Sequence, residues 1–254
     1  MENKKGTIIT ITSNKGGVGK SIFALNLAGV FSLLKRKVLV IDLNLYSGSL
    51  ATYVNSENDK TIFNLIDDMS YNRYKNIDNY IYKVNDNISL IAAPKDPRNA
   101  YNINPSYIPL ILNNVVYKYD VILIDTDHLM NDTKLITLDN SDKKVIVVTN
   151  DISYLKNTRS FIEIKEESKM DGVYLLLNDS VNTNKEYFSS YDMKNILKAN
   201  IDFKLPKSMS IKNIEKYLVD AKIPALDRKV ISKKDLDVLE SIALELIKES
   251  GDRK

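Results

Sequence analysis

Lys20 and Ser21 end a glycine-rich run, Ile11 to Ser21 (ITSNKGGVGKS), whose residue types suit the binding of phosphate. A phosphate-binding loop ordinarily reads G-x-x-x-x-G-K-[ST], and Gly19, Lys20 and Ser21 supply its end. Asn14 stands where the first glycine belongs, and an extra pair, Lys15 and Gly16, follows. Gly16, Gly17, Val18 and Gly19 form the binding backbone, the glycines letting N–H groups turn toward an anion. The start of the helix behind them adds partial positive charge. Lys20 is placed to reach the β- and γ-phosphates of a nucleoside triphosphate, and Ser21 to offer its hydroxyl to Mg²⁺. One lysine already serves the phosphates, so Lys15 needs a separate explanation. A second chemistry-bearing stretch, YDVILIDTDH (Tyr119 to His128), sets Asp125 at the end of an apolar run, where an acid can hold the Mg²⁺ sphere. Asp127 and His128 follow in the loop beyond, and a lone histidine there reads as a surface or capping residue rather than a catalyst.

The elements that must position these residues follow from apolar patterning. Apolar, β-branched runs occur at Thr7 to Thr12, Val38 to Ile41, Ile88 to Ile91, Val121 to Ile124, Lys144 to Thr149, Val173 to Leu177 and Ile201 to Leu205. Continuous runs of this kind read as strands buried on both faces of a parallel sheet. Between them, Ile22 to Leu34, Ile108 to Tyr117, Ser153 to Glu167, Tyr191 to Lys198 and Ile211 to Val219 carry apolar residues at helical spacing. The expected fold is α/β, doubly wound and mostly parallel, with helices on both faces and one P-loop domain over residues 1–254. Ligands of such sheets bind beyond the carboxyl ends of the strands, where the glycine-rich loop lies. Tyr46 to Asn87 is the least regular region, with one short amphipathic helix at Thr61 to Met69. Ala92 to Ser106, with three prolines, reads as a loop at the binding edge.

Composition narrows the alternatives. With no cysteine and one histidine, disulfides, thiolate sites and the usual zinc ligand sets are excluded. The N-terminus lacks an apolar core of about 7–15 residues and no stretch approaches about 18 apolar residues, so a soluble cytoplasmic protein without direct membrane insertion is expected. Net charge is +3, from 36 basic and 33 acidic side chains spread along the chain, which is no strong nucleic-acid signature. The densest basic region, Lys204 to Lys234, includes Lys207, Lys212, Lys216 and Lys222 but is interrupted by Asp202, Glu215, Asp220 and Asp227, and reads as a solvated helical face. At the C-terminus, Leu236, Leu239, Ile242, Ala243, Leu246 and Ile247 repeat at helical spacing opposite Asp235, Asp237, Glu240, Glu245 and Glu249. Anionic lipid would repel that acidic face, so a core-packing helix over Asp235 to Ser250 is expected rather than a membrane anchor.

The pattern KGGVGKS resembles the deviant Walker A loop of the MinD/ParA ATPases. The resemblance implies ATP and Mg²⁺ as cofactors and a homodimer that sandwiches ATP, with Lys15 reaching the partner subunit's phosphates. It also implies Asp-x-Asp after the second strand, where the first acid supports the Mg²⁺ site and the second positions or activates the attacking water. Here the stretch reads Asp42, Leu43, Asn44. An amide can orient a water but cannot take its proton. Losing a general base costs about 10² to 10⁴ in rate, so slow ATP hydrolysis with retained binding is expected. Metal-linked residues are then Ser21, Asp42 and Asp125, and catalytic ones Lys15, Lys20, Asp42 and Asn44. Asn178, ending LLLND, is similar to the asparagine that reads adenine, and Pro206 in KLPKS to the proline loop over it.

Within the family, DLNLYSGSL (Asp42 to Leu50), LIAAPKDPRNA (Leu90 to Ala100) and TNDISYLKNTRS (Thr149 to Ser160) resemble the CpaE/TadZ pilus-assembly branch. That branch places pilus or secretion machinery at the inner face of the membrane, which implies such machinery as partner and recruitment through it. It often carries an N-terminal receiver-like domain, whereas this sequence begins at the first ATPase strand, so localisation by such a domain is not expected. The rival readings are a partition ATPase binding DNA non-specifically, a division-site regulator of the MinD kind, and a nucleotide-dependent scaffold without turnover. A tyrosine kinase of this fold type is disfavoured, since the 15 tyrosines are scattered and do not cluster in the tail.

Overall fold

The computed structural model describes residues 4–181, 188–211 and 214–248. Lys212, Glu249 and Ser250, and the side chains of Glu215 and Lys216, lie outside what is described. Eight strands form one sheet in the order β3-β4-β2-β5-β1-β6-β7-β8. They are β1 (Thr7–Thr12), β2 (Val38–Leu43), β3 (Tyr82–Lys83), β4 (Ile88–Ile91), β5 (Val121–Thr126), β6 (Lys143–Val148), β7 (Val173–Asn178) and β8 (Phe203–Leu205). All neighbours pair in parallel except β3 with β4. The α/β, mostly parallel architecture is therefore the one the apolar runs foretell.

Because side chains alternate across a strand, each strand feeds two cores. Ile9 and Ile11 of β1, Val38 and Val40 of β2 and Val121 and Leu123 of β5 face a core shared with α1 (Lys20–Leu33) and α9 (Lys233–Leu246). Ile8, Leu39, Ile41, Ile122 and Ile124 face the other side, against α3 (Ile62–Ser70) and α4 (Ile108–Val115). Beyond them on that side, Ile146, Val148, Leu175 and Leu177 pack with α6 (Ile152–Glu167) and α7 (Ser190–Leu197). Helix α1 is buried along most of its length, with Phe23 and Phe31 each almost fully enclosed. That setting fixes the loop before it, since truncating such a core phenylalanine typically costs about 3–5 kcal/mol.

Several details depart from expectation. Helices α2 (Leu50–Tyr53) and α5 (Asp132–Asp139) and the edge strand β3 are additional. The Ala92 to Ser106 segment is the expected loop, and it carries the short 3₁₀ turn Pro97–Asn102 and the start of another, Pro105–Tyr107. The helix expected from Ile211 begins at Ile214 as α8 (Ile214–Val219). Helix α9 packs on α1 as a core helix, but Asp235, expected on its solvated face, is buried. Its two oxygens accept hydrogen bonds from Ser208 (2.6 Å) and Ser232 (2.7 Å), which gives the buried charge partners. No helix among the described residues is long and apolar enough to cross a membrane.

Candidate functional site

The glycine-rich loop leaves the carboxyl end of β1, whose neighbours are β5 on one side and β6 on the other. Since β2 lies beyond β5 and α1 must return the chain to it, the loop sits where the strand order reverses. Gly17 and Gly19 have φ of 76° and 86°, a region that favours glycine. A Cβ on Gly17 would meet nothing within 4 Å, so the space beside that backbone is open, whereas one on Gly19 would come within 2.6 Å of Asn178 Nδ2. Helix α1 starts with Gly19 as its N-cap, without a side-chain cap or an acid in its first turn. Its first N–H groups and its positive end are thus left for an external anion.

Beneath the loop, three carboxylates surround one ammonium. Lys20 is buried, and burial lowers its pKa against the opposing pull of Asp125, Asp127 and Asp42. Asp42 and Asp125 are register partners on β2 and β5 and both are fully enclosed. Burial pushes Asp125 up to about 6, opposed by the Ser21 hydrogen bond and by Lys20. Asp42 is raised well above the usual carboxylate range by burial and by the neighbouring Asp125 charge. Ser21 Oγ donates to Asp125 Oδ2, while Asp125 Oδ1 is buried without a hydrogen-bond partner among the described residues. A buried carboxylate oxygen without a donor, beside a serine hydroxyl and under an anion cradle, fits a hydrated divalent cation. Asp42 is placed differently, because its oxygens accept backbone N–H groups of Asn44 (3.1 Å) and Leu50 (3.3 Å) and so hold the loop after β2.

Two cavities flank the loop. One of about 310 Å³ is lined by Gly16, Gly17, Gly19, Lys20, Ser21, Ile22, Asn44, Ser47, Tyr53, Asp127 and His128. Asn44 lies on its wall in a turn of its own, its Oδ1 accepting from Ser47 Oγ (3.0 Å) and its Nδ2 donating to Ser47 O (3.3 Å). The other, of about 390 Å³, has an apolar floor of Ile22, Phe23, Met209, Ile211 and Leu239 and polar groups from Asn26, Asn178 and Ser180. A pocket of that make-up suits a nucleobase. Asn178 is buried at the end of β7; its Nδ2 donates to Val18 O (2.9 Å) and its Oδ1 accepts from Ser180. Pro206 caps a 3₁₀ turn beside this cavity, and its neighbours Leu205 and Met209 contribute to the wall.

Lys15 lies apart from both. Its Nζ donates to Ser153 Oγ (3.0 Å) and stands 4.2 Å from the centre of the Tyr154 ring, whose hydroxyl donates to Gly16 O (2.7 Å). Within one chain the extra lysine is therefore folded onto the first turn of α6. One residue at the site escaped the sequence reading. Lys134, on α5, is almost fully buried, and its Nζ donates to Ser13 O (2.8 Å) and, at longer range, to Asn14 Oδ1 and His128 O. Burial lowers it to about 8. The ammonium joins the start of the glycine-rich loop to the loop after β5, and a lysine in a polar segment gives no signal of that in sequence.

Comparison with known proteins agrees with this geometry. The AAA_31 family model, described as an AAA domain, matches residues 6–154. An uncharacterized ATP-binding protein of Methanocaldococcus jannaschii is 26% identical over 169 residues, covering 66% of this chain and 62% of its own length. The match thus spans a little under two thirds of that relative. Among solved structures, a ParA family ATPase from Chlorobium tepidum superposes with TM-score 0.79 at 18% identity, covering 94% of this chain and 98% of that one. The septum site-determining protein MinD of Pyrococcus horikoshii, solved with Mg-ADP, gives 0.77 at 19% identity, covering 95% and 96%. At these identities the two structures establish the fold.

Proposed function

This chain belongs to the AAA_31 family of P-loop ATPases of the MinD/ParA type, and from that premise we propose that it is an ATP-binding switch. The switch dimerises on ATP and hydrolyses it slowly. The observation that carries the binding half is the orphaned Asp125 Oδ1 beside Ser21, under a loop whose backbone opens onto the helix α1 N-terminus. In this reading Ser21 and Asp125 hold the Mg²⁺ sphere, which supplies charge neutralisation when bound. Gly16 to Ser21 cradle the phosphates, and Lys20 offsets their charge. Asn178 and the apolar cavity beside it receive adenine, with the Pro206 turn at its edge. Asp42 acts on the site by fixing the loop that bears Asn44.

The hydrolytic half carries the departure. Asn44 faces the phosphate-side cavity as a neutral amide already bonded to Ser47. Lys15 serves assembly by leaving Ser153 and Tyr154 for the partner subunit's nucleotide, a move that releases only exposed contacts. The finer role, placement of pilus or secretion machinery in the CpaE/TadZ manner, rests on the three segments Asp42 to Leu50, Leu90 to Ala100 and Thr149 to Ser160. Nucleotide binding and light scattering test the core of the reading. Mg-ATP is expected to bind and to double the mass of the 28.9 kDa chain, and Lys20→Ala to abolish both effects.

A further inference from the structure

We propose that His128, held by Asp127, is the base that takes the proton of the attacking water, in the position that the neutral Asn44 leaves open. The proposal rests on the ATPase reading above. Both residues lie after β5 and both line the phosphate-side cavity, as does Asn44. The Asp127 side chain is 8% exposed, and its Oδ1 lies 2.7 Å from His128 Nδ1. A proton must sit on Nδ1 to bridge that contact, which leaves the lone pair of the neutral ring on Nε2. The imidazole is 43% exposed, so it is accessible from the cavity while its other edge is fixed.

The histidine is also tied to the phosphate cradle. A Cβ placed on Gly16 would lie 3.8 Å from His128 Nδ1, so the ring stands close to the glycine-rich loop. Lys134 Nζ donates to His128 O (3.4 Å) and to Ser13 O (2.8 Å), joining the backbones of the two loops. Among the described residues, Asp127 on its own loop meets the ring, Lys20 from α1 and Tyr53 from α2 share the cavity wall with it, and Lys134 from α5 bonds the His128 carbonyl.

The step balances simply. The water oxygen bonds to the γ-phosphorus as the bond from that phosphorus to the β,γ-bridging oxygen breaks, its electron pair leaving with ADP. His128 Nε2 accepts one proton from the water and then releases it to solvent. Asp127 acts through the histidine as a positioning residue, fixing its tautomer.

The chain has one histidine, so ¹⁵N-histidine labelling of the full-length protein yields a single imidazole to follow. The neutral ring is expected as the Nδ1–H tautomer, shifting toward Nε2–H in Asp127→Asn. Its signals are expected to move when Mg²⁺ and a non-hydrolysable ATP analogue are added. His128→Gln is expected to bind that analogue within twofold of wild type, yet to slow single-turnover phosphate release by about 10² or more and to flatten its acid limb. Asp127→Asn, which keeps the histidine, is expected to slow release as well and guards against a folding defect in the glutamine variant. An Nε2–H tautomer in wild type, or unchanged release in His128→Gln, overturns the proposal. Failure of wild type to bind the analogue, or binding without phosphate release, sinks the ATPase reading and this proposal together, even with the tautomer as expected.

Discussion

The two walls of the phosphate-side cavity are built on different plans. One is a continuous stretch of chain, Gly16 to Ser21, backed by α1 and by Asp125 from the neighbouring strand. The other is assembled from Asn44 after β2 and from Asp127 and His128 after β5, residues brought together by the sheet. The first wall meets each requirement of a bound, metal-linked triphosphate: open backbone, a buried lysine, and a carboxylate oxygen free to serve a hydrated cation. The second lacks a carboxylate at Asn44 and instead carries an imidazole clasped by a buried aspartate. In the proposed reading binding and turnover depend on separable parts, and a binding wall can stay intact while the hydrolytic one is rebuilt.

The sharpest break in that comparison is Lys20→Ala. Removing the buried ammonium takes away the positive charge that Asp125, Asp127 and Asp42 now oppose beneath the phosphate loop. Nucleotide affinity is expected to fall by about 100-fold or more, read by titration with a fluorescent ATP analogue. Next comes Asn44→Asp, which returns a carboxylate to the second wall and is expected to raise phosphate release by about tenfold or more with little change in affinity. Equal rates would show that Asn44 is only a turn residue bonded to Ser47.

Asp125→Asn probes what the first wall costs the empty fold. The folded carboxyl titrates near 6, above its unfolded value of 3.8, so the native state holds the extra proton between those values. Its contribution to stability is therefore fully present below about pH 4 and is lost as pH rises through 6, by about 3 kcal/mol. In nucleotide-free protein the asparagine variant is expected to unfold at a higher denaturant concentration at pH 7 and to lose part of that slope, while its Mg²⁺-dependent nucleotide binding weakens. A lower midpoint would refute the strain assigned to this carboxylate.

Lys134→Met is expected to act on stability, with the least effect on nucleotide binding. The folded lysine titrates near 8, below the ordinary 10.5, so the unfolded chain binds the extra proton between those values and stability rises as pH increases from about 8 to 10.5. Methionine should reduce that rise, leaving the part due to Lys20 and Lys144, which are lowered in the same direction by burial. Denaturant titrations at pH 7.5 and 9.5 would read the difference, and an unchanged slope would argue against the buried charge.

The same contrast explains what could be read from sequence. Strands buried on both faces advertise themselves as unbroken apolar runs, and Thr7 to Thr12 and Ile88 to Ile91 lie where the pattern puts them. The first wall was legible because its parts are adjacent in the chain or end such a run. Helix α5 was not, because its buried positions are Lys134, Thr137 and Leu138, so the face turned inward is largely polar. Strand β3 has two residues and no pattern to offer. The second wall is legible only at Asn44, because His128 has meaning only once Asp127 clasps it and β2 carries Asn44 to the same cavity. Asp235 shows the converse, an acid whose burial depends on Ser208 from a distant turn.

The direct test of the central claim, intact binding beside altered turnover, follows mass and phosphate release in one sample after Mg-ATP is added. Light scattering combined with a phosphate sensor, run on wild type and Lys15→Ala, serves for this. Wild type is predicted to reach twice the chain mass well before appreciable phosphate appears, and Lys15→Ala to bind nucleotide yet stay at the mass of one chain. A wild-type protein that releases phosphate as fast as it binds ATP, or a Lys15→Ala variant that doubles in mass unchanged, would contradict the account.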